Sequence, residues 1–339
     1  MDERTWTDLA VRTTGGSVVW ANDEAFAERE NLLNPGPPVH DPSTFGHKGK
    51  VYDGWETRRR RAPGHDEAII RLGVPGVVHR VVVDTAWFKG NFPPQASVEG
   101  VCLDGYPAVD ELRGAAWEPL VPVADLKGDT ENEFAVESTR RWTHVRLSIY
   151  PDGGVARLRA FGEPLPDPRL LHALGHFDLA ALEYGGRVVG CSDWFFGSPE
   201  NLLMPGRARS MGEGWETARR RDEGNDWVVV RLAEAGTVFV AEVDTSYFLG
   251  NAPGEERLRG CRHPDAAGCL EDVEWFELLP RTRLAPDTQH RFVLEDSRPA
   301  THVRMDVYPD GGVARLRLHG ALTEDGRALL QSRWTAAIG

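Results

Sequence analysis

The chain has 339 residues, 27% charged and 41% hydrophobic, the proportions of an ordinary globular protein. Its net charge of −13 excludes a general binder of nucleic acid or of anionic membranes, because both need a basic footprint. No apolar run reaches the ~20 residues that cross a bilayer, and the start "MDERTWTDLA" lacks the basic and apolar regions of a secretory signal.

In chain order the strong segments are short and β-rich. After "DLAVRTTGGSVV" from Asp8 a short helix is expected near "AFAEREN", followed by the motif "GWETRRRR" at Gly54. Then come "AIIRL", "HRVVVDT", "ASVEGV", "EPLVPV", "ENEFAVE", "THVRLSIY" and "VARLRAFG", punctuated by glycine and proline, with no long segment of 3.6-residue period. In "THVRLSIY" Val145, Leu147 and Ile149 alternate with His144, Arg146, Ser148 and Tyr150, the pattern of a half-buried strand. Pro151, Asp152, Gly153 and Gly154 then supply turn chemistry, so the stretch reads as a hairpin with "VARLRAFG" returning.

The whole series is then spelled again. "DLAALEYGGRVV" from Asp178, "ENLL" at Glu200, "GWETARRR" at Gly214, "VDT" at Val243 and "GN" at Gly250 repeat "DLAVRTTGGSVV", "ENLL" at Glu30, "GWETRRRR", "VDT" at Val83 and "GN" at Gly90. The decapeptide "YPDGGVARLR" stands unchanged at Tyr150–Arg159 and Tyr308–Arg317. This is a tandem duplication, with about ten extra residues in the first copy near "HDPSTFGHKG". We expect a mainly β protein of two tandem jelly-roll β-sandwich repeats. The expected limits are a first repeat over 1–162, a proline-rich and then helical linker over 163–176, a second repeat over 177–320, and a C-terminal extension over 321–339 that forms a last helix.

Several repeated residues carry chemistry. "GWET" and the arginines after it gather Trp55, Glu56 and Arg59, and again Trp215, Glu216 and Arg219. An arginine fork suits a carboxylate ligand and a glutamate suits acid or base work; a surface ion pair beside a packed tryptophan would be spelled the same way. His144 and His302 lie on the polar side of their strands, where they would face a pocket or solvent. Arg157 and Arg315 stand on the polar side of the presumed hairpin with Arg159 and Arg317, as an anion pocket or as a soluble face. Asp84 and Asp244, with Asn91 and Asn251, fall at a strand end and the loop after it, where sandwiches carry binding groups and where turns also need such residues. Metal signals are weak. "HALGH" places His172 and His176 one turn apart but without a base between them, and Cys261, His263 and Cys269 have no counterpart cluster in the first copy. No metal or other cofactor is expected, and the four sparse cysteines are read as reduced thiols in a cytoplasmic protein.

Taken together, "GGSVVWANDEAFAERENLL", "DGWETRRRR", "VDTAWFKGNFP", "THVRLSIYPDGGVARLRAFG" and their second set resemble the allantoicase (allantoate amidinohydrolase) family over nearly the whole chain. The resemblance implies hydrolysis of allantoate to ureidoglycolate and urea in purine (allantoin) degradation, two jelly-roll repeats similar to galactose-binding domains, and assembly into homo-oligomers. It turns the candidates above into an expected site. Glu56, Glu216, His144, His302, Asp84 and Asp244 would be catalytic. Trp55, Arg59, Trp215, Arg219, Asn91, Asn251, Arg157 and Arg315 would bind substrate. The expected place is the interface between the repeats. Two other readings stay open: a non-catalytic double sandwich binding a ligand on its tryptophans, and a hydrolase of another ureido acid such as ureidoglycolate.

Overall fold

The structure is a computed structural model that describes residues 6–46, 48–263, 273–295 and 298–338. The chain divides into two compact units, built on Trp6–Leu165 and Pro166–Thr335. In the first, chain order runs β1 (Thr7–Asp8), β2 (Ser17–Ala21), β3 (Phe45–Gly46), β4 (Gly49–Lys50), β5 (Trp55–Glu56), β6 (Asp66–Asp84) and β7 (Gln95–Val101). After α1 (Val109–Arg113) it continues with β8 (Glu118–Asp125), β9 (Glu131–Ala135), β10 (Arg141–Tyr150), β11 (Gly154–Val155) and β12 (Arg157–Pro164). The expected short helix near "AFAEREN" is a 3-10 turn over Arg29–Leu33.

The organising element is β6, 19 residues long, which the sequence presents as two separate strands. Its first half pairs with β2 and β10, and its second half with β9 and β12. The antiparallel order is β1-β12-β6-β10-β7-β8, with β2 and β9 also on β6. The two halves meet at Gly73–Gly76, where Pro75 has no amide to donate and a Cβ at Gly76 would stand 2.2 Å from the Glu163 carbonyl oxygen. One strand thus serves two sets of partners, and the sheet folds over on itself as a sandwich. Apolar side chains fill the interior, among them Ile70, Val81, Val83, Val145, Leu147 and Leu158, all fully buried.

The expected hairpin is not formed. β10 pairs with β6 and β7, whereas β12 pairs with β6 and β1, so the decapeptide carries the chain from one set of strands to the other through a cis Tyr150–Pro151 bond. Alternation reports which face of a strand is apolar, not which strand lies beside it. Nor is the polar face of β10 open. His144 and Ser148 are each only 2% exposed, because β10 is an interior strand of its sheet and both of its faces are covered.

The second unit repeats the design with β13 (Phe177–Asp178), β14 (Arg187–Cys191), β15 (Trp215–Glu216), β16 (Asp226–Asp244), β17 (Glu255–Cys261), β18 (Phe276–Arg283), β19 (Gln289–Val293), β20 (Ala300–Tyr308), β21 (Gly312–Val313) and β22 (Arg315–Leu322). Its order, β13-β22-β16-β20-β17-β18 with β14 and β19 on β16, is that of the first unit. The linker forms α2 (Pro168–Leu174), started by Asp167, whose side chain accepts from the Arg169 amide, with proline in the first helical position. α3 (Glu324–Ile338) is the expected last helix.

Candidate active site

At one end of the first unit four loops are tied together around Glu56. Its backbone carbonyl accepts the amides of Phe26 and Ala27 at 3.1 and 3.2 Å. The short strand β5, which carries Trp55 and Glu56, pairs with β11 just past the decapeptide turn. The Thr57 amide donates to the Gly153 carbonyl, the Arg60 amide to Asp152 Oδ2 at 2.8 Å, and the Gly154 amide to the Asn91 carbonyl at 2.8 Å. This explains the invariance of "PDGG" between the copies. A Cβ at Gly154 would lie 2.0 Å from the Phe88 ring, and Gly153, at φ +145°, would press one to 2.6 Å from the Pro93 nitrogen.

Within that knot Asn91 Nδ2 donates to Glu56 Oε1 at 2.7 Å. Glu56 is 8% exposed, and its other oxygen, Oε2, is buried with no hydrogen-bond partner among the described residues. Burial raises the carboxyl above its usual range, and the Asn91 amide offsets only part of the rise. A carboxyl held at one oxygen and free at the other, with an elevated pKa, is equipped to carry a proton. The second unit builds the same pair. Asn251 Nδ2 donates to Glu216 Oε1 at 2.5 Å, the Gly312 amide donates to the Asn251 carbonyl at 2.8 Å, and the Glu216 carbonyl accepts from Phe196 and Gly197. Each pair is complete within its own unit.

The arginines after Glu56 divide by role. Arg58 is bound to Asp23 and Arg60 to Asp66, the latter at 2.5 Å; in the second unit Arg220 holds Asp226 at 2.8 Å. Arg59, Arg61, Arg219 and Arg221 are exposed and make no hydrogen bond or ion pair among the described residues. Two uncommitted guanidinium groups therefore stand three and five residues beyond each glutamate.

Other expected site residues lie elsewhere. Trp55 and Trp215 are fully buried and donate through Nε1 to the carbonyls of Asp23 and Asp193 at 2.7 and 2.9 Å, so they brace the loops instead of offering a platform. His144 and His302 are corrected most sharply. They are 2% and 1% exposed, and their Nδ1 atoms meet the hydroxyls of Thr143 and Thr301 at 2.8 and 2.9 Å. Burial, with Arg71 nearby, lowers His144 to about 4. It stands six residues up β10 from Tyr150, about 20 Å from the knot at the rise of a strand. Arg157 and Arg315 are also corrected, from the open face of a hairpin to the interior. The first donates to the carbonyls of Asn31, Asp53 and Ala156 and to Asp53 Oδ2; the second donates to those of Gly206, Glu213 and Ala314. They hold the loops in place. Asp84 and Asp244 each accept the amide two residues on, at 2.8 Å, as turn-formers do, while burial raises Asp84. Asp23, Asp66, Asp152 and their partners in the second unit, which frame the knot, were passed over; their signal is that each recurs, in "ANDEAF" and "CSDWFF", "HDEA" and "NDWV", and the decapeptide.

Among the described residues no three His, Cys, Asp or Glu side chains converge as a metal site, and no helix is long and apolar enough to cross a membrane. Cys269 lies outside the described residues.

A family model described as "Allantoicase repeat" matches residues 7–165 and 177–323, one match to each unit. The chain belongs to the allantoicase family. A "Probable allantoicase" of Nocardia farcinica is 57% identical over 93% of this chain and 94% of its own. An "Allantoicase" of Dictyostelium discoideum is 43% identical over 94% and 87%. The crystal structure of allantoicase from Saccharomyces cerevisiae superposes with a TM-score of 0.78 at 34% identity, covering 93% of each chain. The family's duplicated architecture is the one seen here, with a Glu–Asn pair and uncommitted arginines in both repeats.

Proposed function

We propose that the protein hydrolyses allantoate to ureidoglycolate and urea, with Glu56 and Glu216 as the proton-carrying groups. Family membership over nearly the full chain supports the reaction. The observation that supports the site is the Glu–Asn pair with one carboxyl oxygen held, built twice from the same loops.

Allantoate carries a carboxylate and two ureido groups on one carbon. Cleavage breaks the bond from that carbon to one ureido nitrogen. The nitrogen must gain a proton to leave as urea, and the carbon must gain hydroxide from water. Arg59 or Arg61, and Arg219 or Arg221, are free to clamp the carboxylate in bidentate fashion. Such a pair gives about 4 kcal/mol at ~4 Å and an effective dielectric near 20, before desolvation. Glu56, kept neutral by burial, supplies the proton from Oε2. The carboxylate left behind takes the proton of the attacking water and is reset. Atoms balance: one water is consumed, its oxygen on the carbon and one of its protons on urea. Neutral ureido nitrogens are poor leaving groups, so the acid is expected to matter most, at ~10²–10⁴-fold.

Purified protein incubated with allantoate should release urea and ureidoglycolate in equal amounts. Glu56→Gln and Glu216→Gln, made singly, should each lose part of the turnover, and together lose at least about 10²-fold. A double variant as active as wild type would remove the glutamates from the mechanism, and folded wild type without urea release would remove the reaction. Hydrolysis of ureidoglycolate in place of allantoate would move the reading to that neighbouring substrate. A cytoplasmic location and self-association into oligomers complete the reading, the second checked by sedimentation.

A further inference from the structure

A second concavity, of about 470 Å³, lies in the first repeat across β9, β6 and β12, beside the loop Pro35–Pro38. Its arginines are already matched. Arg80 pairs with Glu133 at 2.9 Å, Arg159 with Asp8 at 3.5 Å, and Arg157 with Asp53 at 2.6 Å. Two lining carboxylates are left over, Asp84 and Glu131. They stand directly opposite one another in the β6–β9 register, and neither has a cation within 4 Å among the described residues. Like charges facing each other across a strand pair oppose folding, and Glu131 adds to the upward shift of Asp84. Asp84 is 4% exposed and uses only Oδ1, on the Ala86 amide; Oδ2 has no hydrogen bond among the described residues.

The second repeat serves as an internal control. There the same register sets Asp244 against Gln289, which removes one negative charge, and the Gln289 amide is taken up by Glu242 Oε1. The uncompensated pair therefore belongs to the first repeat alone. Its apolar surroundings, Pro37, Pro38 and Phe161, suit a flat ligand, and Arg80 already lies over the Phe161 ring at 4.5 Å.

We propose that this concavity binds a small planar organic cation of the guanidinium or amidinium class, whose N–H groups bridge Asp84 and Glu131. The fork of N–H donors matches paired carboxylates, and the volume is that of a small-molecule pocket. The site is distinct from the Glu56–Asn91 knot and does not depend on the proposed hydrolysis.

Calorimetric titration of the full chain with methylguanidinium chloride tests it, with Glu131→Gln and Glu56→Gln as variants and N-methylurea as a neutral probe of the same shape. Glu131 is exposed, so its variant keeps the fold. Saturable binding of one methylguanidinium per chain is expected, weakened about tenfold or more in Glu131→Gln, unchanged in Glu56→Gln, and far weaker for N-methylurea. Absence of saturation, equal affinity in Glu131→Gln, or equal affinity for N-methylurea would overturn the proposal. Loss of binding in Glu56→Gln would assign the ligand to the hydrolytic site and overturn it as well.

Discussion

Glu256 offers the sharpest test of how burial acts in this fold. It lies on β17 with no exposed surface, and neither carboxyl oxygen has a hydrogen bond among the described residues. Across the sheet it meets Val307 on one side and Thr282 on the other. The first repeat has Ala96 at the same place on β7. Desolvation drives the Glu256 carboxyl from 4.5 up to about 8. A folded pKa above the unfolded one means that the unfolded chain loses its proton first. Stability is then full below about pH 4.5 and declines as pH rises to about 8, at about 1.4 kcal/mol per pH unit. By pH 7.5 the loss is on the order of 4 kcal/mol. Glu256→Gln removes the titration. The two proteins should match within about 1 kcal/mol at pH 5, while the variant gains on the order of 4 kcal/mol at pH 8, or roughly 10 °C in the melting of the second repeat. Urea melts at pH 5, 6.5 and 8 measure both the level and the slope. Parallel curves for wild type and variant would refute the reasoning, because they would mean that Glu256 is ionised and solvated in the folded protein.

Three further outcomes follow from the site. Asn91→Ala removes the one hydrogen bond that lowers Glu56, so kcat should fall by about tenfold or more with little change in KM, and the pH profile should move upward. An unmoved profile would show that Asn91 does not act through Glu56. Replacing Arg59 and Arg61 together by alanine should raise KM for allantoate by about tenfold or more while the fold is kept, since both side chains are exposed and unpartnered; an unchanged KM would place the carboxylate elsewhere. Arg157→Leu leaves the carbonyls of Asn31 and Asp53 and the Asp53 carboxylate without their donor. It should cost about 3–5 kcal/mol, seen as a lower melting temperature, and a variant as stable as wild type would contradict the bracing role.

Much of the architecture was legible without coordinates. Self-similarity exposed the duplication, because two copies under the same packing rules keep the same letters at close approaches such as Gly153–Gly154 against Phe88 and Asn91. Short strands separated by glycine and proline identified a mainly β sandwich, since local period and turn chemistry act over a few residues. The same locality explains the misses. β6 reads as two strands because its bend at Pro75 looks like a break, and partners on both halves are needed to show one continuous strand. His144 reads as exposed because alternation cannot tell an edge strand from an interior one.

The sequence by itself determined the repeat, the β class, the family resemblance and the candidate Glu56, all carried by neighbouring letters. Only the tertiary structure decided that Asn91, 35 residues away, holds Glu56, that Arg157 and Trp55 brace loops, and that the decapeptide crosses between strand sets instead of closing a hairpin. Which groups meet, and which are shut away from water, depends on chain closure over long separations, and a linear pattern does not encode those distances.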